Sequence, residues 1–102
     1  MIPTTVSRSG IAWNDLLEAI LKAKSNTLWA RMGRLDPIGG LHVLMWWDGN
    51  SCRCQLSLRI PGRSLNASAE HVAPDVALDR AFDLFIRRIE RESGVAPRVD
   101  AA

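Results

Sequence analysis

The stretch CRCQLSLRIPGRSLNASAE, residues 52–70, decides how the rest of the chain must be arranged. Cys52, Cys54, Leu56, Leu58 and Ile60 alternate with Arg53, Gln55, Ser57 and Arg59, the period-2 pattern of a strand with one buried face. Pro61 and Gly62 reverse the chain, and Leu65, Ala67 and Ala69 then alternate with Asn66, Ser68 and Glu70 in a second, antiparallel strand. Beyond residues 71–74 the apolar period changes to about 3.6. Leu78, Phe82, Phe85 and Ile89 fall on one side of a helix, and that side is the lid the apolar face of the strands requires.

A chain of 102 residues has room for one core, and 47% hydrophobic with 24% charged residues is the balance of a globular domain. No apolar run reaches membrane-spanning length, and no basic stretch followed by an apolar one opens the chain. The expected compartment is therefore the cytoplasm, with no membrane partner. Cys52 and Cys54 share the inward face of one strand and read as small buried residues rather than a disulfide framework. A metal would need two further ligands, and His42 and His71 stand at no recognised ligand spacing, so neither a metal nor another cofactor is expected. A net charge of +2 permits contact with nucleic acid without demanding it. Residues 14–35 carry four basic and two acidic groups, and residues 75–92 carry four basic and five acidic. Any basic surface must be a stripe rather than a whole face.

Taken in order, residues 1–10 hold only Ile2 and Val6 as sizeable apolar side chains, a short edge strand or a loose arm. Asn14 is placed to cap a helix whose first turn carries Asp15 and Glu18. Leu17, Leu21, Leu28, Met32 and Leu35 then predict a helix of about 20 residues, with Ser25, Asn26 and Thr27 a point of bending. Gly33 lies near its end, and residues 36–40 form a turn around Pro37. Residues 41–48 form an apolar strand in which Leu41, Val43, Met45 and Trp47 face the helices while His42, Leu44 and Trp46 face away. Gly49 and Asn50 turn it into the central strand. Ser93 and Gly94 end the second helix, so the domain is expected over 1–94 with a flexible tail over 95–102. The fold class is α+β, in the order β-α-β-β-β-α, a small mainly antiparallel sheet with two helices on one face.

This order, together with particular residues, resembles the ribosome hibernation family: hibernation-promoting factors, ribosome-associated inhibitors and the sigma modulation proteins, in their short form. LSLRIPGRSLNASAE, residues 56–70, is similar to the family's third strand, Pro-Gly turn and fourth strand. ALDRAFDLFIRRIER, residues 77–91, resembles its second helix, with Ala77, Leu78, Asp79, Ala81, Asp83 and Phe85 at matching places. Asn14, Leu17 and Lys24 occupy the helix cap, the following leucine and a basic position of the first helix. The resemblance implies a non-catalytic protein that binds the small ribosomal subunit in the channel used by mRNA and tRNA. There, basic residues of both helices would meet ribosomal RNA, inhibiting translation or storing idle ribosomes under stress. Carried onto this chain, it points to Lys24, Arg87, Arg88 and Arg91. The chain departs from the pattern at Leu84, where the family has a lysine, and at Glu18, where a basic residue is common. Both changes remove positive charge from the surface that would meet phosphate.

Independently of the family, Arg80, Arg87 and Arg91 are spaced by seven and four, one helical stripe nearly opposite Leu78, Phe82 and Ile89. Such a ridge suits a phosphate backbone, because each neutralised phosphate releases a condensed counterion. The plainer reading is a solvated helix laced by the i, i+4 pairs Asp83–Arg87 and Arg88–Glu92. Lys24, Arg31 and Arg34 border the apolar stripe of the first helix, where they either extend the ridge as RNA contacts or cover the core edge with their stems. Leu44 and Trp46, on the open side of the sheet, suit base stacking or a homodimer seam, or an ordinary core role if the strand register slips by one residue and exchanges the two faces. A non-catalytic interaction domain that dimerises through that face is the competing reading. Catalysis has little to stand on: Asp79 and Asp83 lie one turn apart without a histidine or nucleophile beside them. A double-stranded-RNA module shares the element order, but its basic loop before the last helix is missing, since residues 70–74 contain no lysine or arginine.

Overall fold

The computed structural model describes residues 3–93, which include every expected element; the tail expected over 95–102 lies outside the described residues. The order is β1 (Thr4–Ser9), α1 (Asp15–Ala30), β2 (Ile38–Asp48), β3 (Ser51–Ile60), β4 (Arg63–His71) and α2 (Pro74–Ser93). The four strands lie in sequence order across one sheet, β1 parallel to β2 and the remaining pairs antiparallel. Residues 4–9 form a strand despite their weak pattern because β2 supplies the ladder, with Val6 paired to the buried Val43. Gly40 makes that pairing feasible: a Cβ there would fall on the Pro3 carbonyl, which accepts from Leu41 N–H at 2.9 Å.

Both hairpins turn through two residues, Asp48 facing Ser51 and Ile60 facing Arg63. The second uses the fixed φ of Pro61 followed by Gly62 at φ +86°, the left-handed conformation that glycine adopts without steric cost. Along β3 the inward set Cys52, Cys54, Leu56, Leu58 and Ile60 is buried throughout. Their lid is α2, which lies across β3 and β4 and buries Leu78, Phe82, Phe85 and Ile89 together with Ala77, Ala81 and Ile86. The alanines let the helix backbone approach the small side chains of β4.

Helix α1 packs beside α2. Asn14 caps it as expected, its Oδ1 accepting from Leu17 N–H at 2.9 Å. The helix is 16 residues long rather than about 20, because Gly33 at φ +59° breaks the helical path; Met32 is nevertheless buried, in the turn that follows. It runs unbroken through Ser25, Asn26 and Thr27, where a bend was expected, and Thr27 Oγ1 donates back to the Ala23 carbonyl at 3.2 Å. Trp47 is a second correction. It has the parity of Leu41, Val43 and Met45 but is 42% exposed at the strand end, its indole N–H donating to the Gly10 carbonyl at 3.0 Å.

Candidate nucleic-acid interface

The outer face of α2 is set by what its inner face must do. With Leu78, Phe82, Phe85 and Ile89 committed to the sheet, helical geometry turns Arg80, Arg87 and Arg91 to solvent, and all three are exposed. At 1.5 Å per residue the line from Arg80 to Arg91 is about 16 Å long. Arg88 is exposed on the flank away from α1, and Leu84, 45% exposed, stands in the middle of the ridge as an apolar interruption. None of these four arginines forms an ion pair with a described residue.

The carboxylates that the sequence pairs with them are engaged elsewhere. Asp83 accepts from Lys24 Nζ at 2.6 Å, and Asp79 lies 3.2 Å from the same ammonium. Glu90 meets Arg31 at 3.7 Å, and Glu92 pairs with Arg63 of β4. The expected pairs Asp83–Arg87 and Arg88–Glu92 are therefore not formed. Sequence neighbours along a helix compete with partners from other elements, and here the latter win. The hydrogen bond to Asp83, reinforced by Asp79 and opposed by partial burial, holds the Lys24 ammonium above the usual lysine range.

The structure thus divides the six predicted basic residues. Arg80, Arg87, Arg88 and Arg91 form one free cationic surface, while Lys24 and Arg31 lie in an ion-paired seam between two helices running side by side in the same direction. Lys22 on the outer side of α1 and Arg34 in the turn after it are also exposed and unpaired among the described residues. Of the alternatives for Arg34, its exposure fits an extended basic surface better than a stem covering the core edge, while Lys22 was not singled out by the sequence although the helical period places it on the outer side of α1.

The opposite side of the sheet carries Leu44 and Trp46, as their parity requires, with Leu44 43% exposed. Their neighbours in register are Ser7 and Gln55 for Leu44, Ser9 and Arg53 for Trp46. Arg53 is tied to Glu70 at 3.0 Å and to Asp48 at 3.6 Å. The two apolar side chains are thus an island in a polar face. Cys52 and Cys54 are buried, and burial pushes both thiols up, Cys54 to about 12 with a smaller contribution from Cys52. The described residues contain no group of three or more His, Cys, Asp or Glu side chains able to hold a metal ion. No described helix is long and apolar enough to cross a membrane.

No protein-family model and no curated protein matches the chain. Among solved structures it is similar to the N-terminal domain of Protein Y from Thermus thermophilus, at 19% identity and a TM-score of 0.70, over 89% of this chain and 97% of that one. It is also similar to a ribosomal subunit interface protein from Coxiella burnetii, at 17% identity and a TM-score of 0.57, over 89% of this chain and 92% of that one. At these identities the likeness is one of fold, and the fold is the one the sequence resemblance implied.

Proposed function

We propose that this chain binds ribosomal RNA on the small ribosomal subunit through Arg80, Arg87, Arg88 and Arg91 of α2, and that by occupying the subunit it inhibits translation or stabilises idle ribosomes. It acts in the cytoplasm by binding, with no catalytic step and no cofactor. One observation carries this reading: Asp79, Asp83 and Glu90 on the inner flank of α2 are engaged by Lys24 and Arg31, while the four arginines form no ion pair with a described residue. The ribosomal subunit interface protein that shares the fold supports the choice of partner. Lys24 and Arg31 serve the interface from the seam, by silencing carboxylates that would otherwise repel phosphate. Leu84 shortens the run of charge, so shape complementarity to a folded RNA must supply part of the selectivity.

The test is co-sedimentation with purified small subunits across a salt series. Four neutralised phosphates predict a slope of log affinity against log salt of about −3. Arg87→Glu combined with Arg91→Glu removes two of them and should abolish co-sedimentation at physiological salt. Binding indifferent to salt, or unchanged in that variant, refutes the reading.

A further inference from the structure

On the side of α1 away from α2, a cleft of about 610 Å³ opens between the helix and the start of β1. Its walls are mainly apolar, from Pro3, Leu21 and Trp29. Set into them is a group with no structural employment: Ser25 is only 9% exposed, and its hydroxyl has no hydrogen-bond partner among the described residues. A buried hydroxyl left unsatisfied is destabilising, and serine is a poor residue for the middle of a helix, so neither packing nor propensity accounts for it. Beside it the Asn26 amide, the Trp29 indole N–H and the Lys22 ammonium also bond to no described residue. Glu18 closes the row, with one carboxylate oxygen accepting from Trp13 Nε1 at 2.7 Å and the other unengaged.

We propose that this cleft binds a nucleotide: the base lies against the Trp29 indole and Leu21, its polar edge hydrogen-bonds to Ser25 and to the unengaged oxygen of Glu18, and its phosphate rests on Lys22. The combination is specific to that ligand class. An aliphatic ligand would leave the buried Ser25 hydroxyl unsatisfied, and a bare anion would have no use for the indole or the leucine. A flat ring with donors and acceptors on its rim and a negative charge outside it uses all of them. Single-stranded RNA and free nucleotides present this chemistry alike, whereas bases in a duplex are stacked and paired out of reach. The cleft and the arginines of α2 lie on different flanks of the helix pair, so this inference stands without the proposed ribosomal role.

The four tryptophan indole N–H resonances of the labelled protein report on it directly, titrated with adenosine monophosphate, with a short single-stranded oligoadenylate and with duplex RNA. The Trp29 resonance is expected to move with the single strand and to stay in place with the duplex. Saturation by the mononucleotide at concentrations as low as the oligonucleotide's assigns the cleft to free nucleotides, while a requirement for the oligonucleotide assigns it to RNA; either supports the proposal. Trp29→Leu should weaken oligoadenylate binding by about tenfold or more, the loss of one stacking platform. Ser25→Ala, which leaves the helix intact, should weaken it several-fold. Arg87→Glu with Arg91→Glu should leave the Trp29 shift in place even where co-sedimentation with subunits is lost, which separates failure of one reading from failure of the other. A Trp29 resonance unmoved by both single-stranded ligands, or moved equally by duplex RNA, overturns the proposal.

Discussion

Replacing Lys24 by methionine tests whether the seam between the helices serves RNA binding indirectly. The substitution keeps an unbranched stem against the core edge and removes one charge that lies 2.6 Å from Asp83 and 3.2 Å from Asp79. The lysine side chain is 27% exposed and the two aspartates 46% and 43%, so each pair belongs with partly exposed ion pairs. Together the lost attraction and the new repulsion between two carboxylates one turn apart amount to about 1 kcal/mol, which lowers Tm by about 4–8 °C in a domain of this size. The folded-state pKa of Lys24 is raised, so this stabilisation is complete below the ordinary lysine value of 10.5 and fades only as pH climbs through the higher folded value. The difference in Tm between wild type and variant should therefore be flat across neutral pH and shrink in strong alkali.

The effect on RNA follows from the same charge. One uncompensated negative charge about 10 Å from each of four phosphates costs roughly 1.2 kcal/mol at 0.01 M salt and about 0.5 kcal/mol at 0.15 M. Affinity for small subunits should fall about 8-fold at the lower salt and about 2-fold at the higher. Adding Asp79→Asn and Asp83→Asn removes both carboxylates, and the triple variant should bind at least as well as wild type. A triple variant as weak as Lys24→Met alone would refute the indirect role and make Lys24 itself a phosphate contact.

Phe82→Ala removes a fully buried ring at the centre of the core and should destabilise the domain by about 3–5 kcal/mol, read as a shift in urea midpoint. Gly40→Ala places a methyl group against the Pro3 carbonyl, so hydrogen exchange should accelerate across β1 while β3 and β4 keep their protection. Because the Cys54 thiol is buried and held near pKa 12, alkylation at pH 8 should be negligible in the native protein and rapid in denaturant. Among the described residues the open sheet face carries Leu44, Trp46 and, beside Arg59, Ile38 as large apolar groups, far short of the roughly 800 Å² per partner of a stable interface. Size-exclusion chromatography with light scattering should show a monomer, and a dimer dispersed by Trp46→Ala would establish that face as an interface.

The hairpins and α2 were legible because their signals are local: alternation in residues 52–60, a Pro-Gly turn and a helical run of aromatic and aliphatic residues each need only a few neighbours to interpret. The parallel strand β1 was not, since its weak pattern becomes a strand only when β2, more than thirty residues on, offers a ladder. The extent of α1 was misjudged because Met32 and Leu35 keep the apolar spacing beyond Ala30, where the helix ends. Among the charges, exposure followed from the period but pairing did not. Asp83 satisfied the i, i+4 rule with Arg87 and went instead to a lysine 59 residues away, a choice that depends on how two helices are placed and on nothing local. The cleft beside Ser25 is of the same kind, since a serine in a helix becomes notable only when three dimensions leave it without a partner.

The lid of the core is also the last piece of the described chain to be synthesised. Seven of the twenty buried apolar side chains among the described residues belong to α2, and α1 finds its flanking partner only there. A nascent polypeptide that has made all four strands still exposes the part of its apolar sheet, on β3 and β4, that α2 will cover. Completion is therefore abrupt. A message truncated within the codons for α2 leaves the apolar face of β3 and β4 uncovered, a surface for chaperones and proteases to act on.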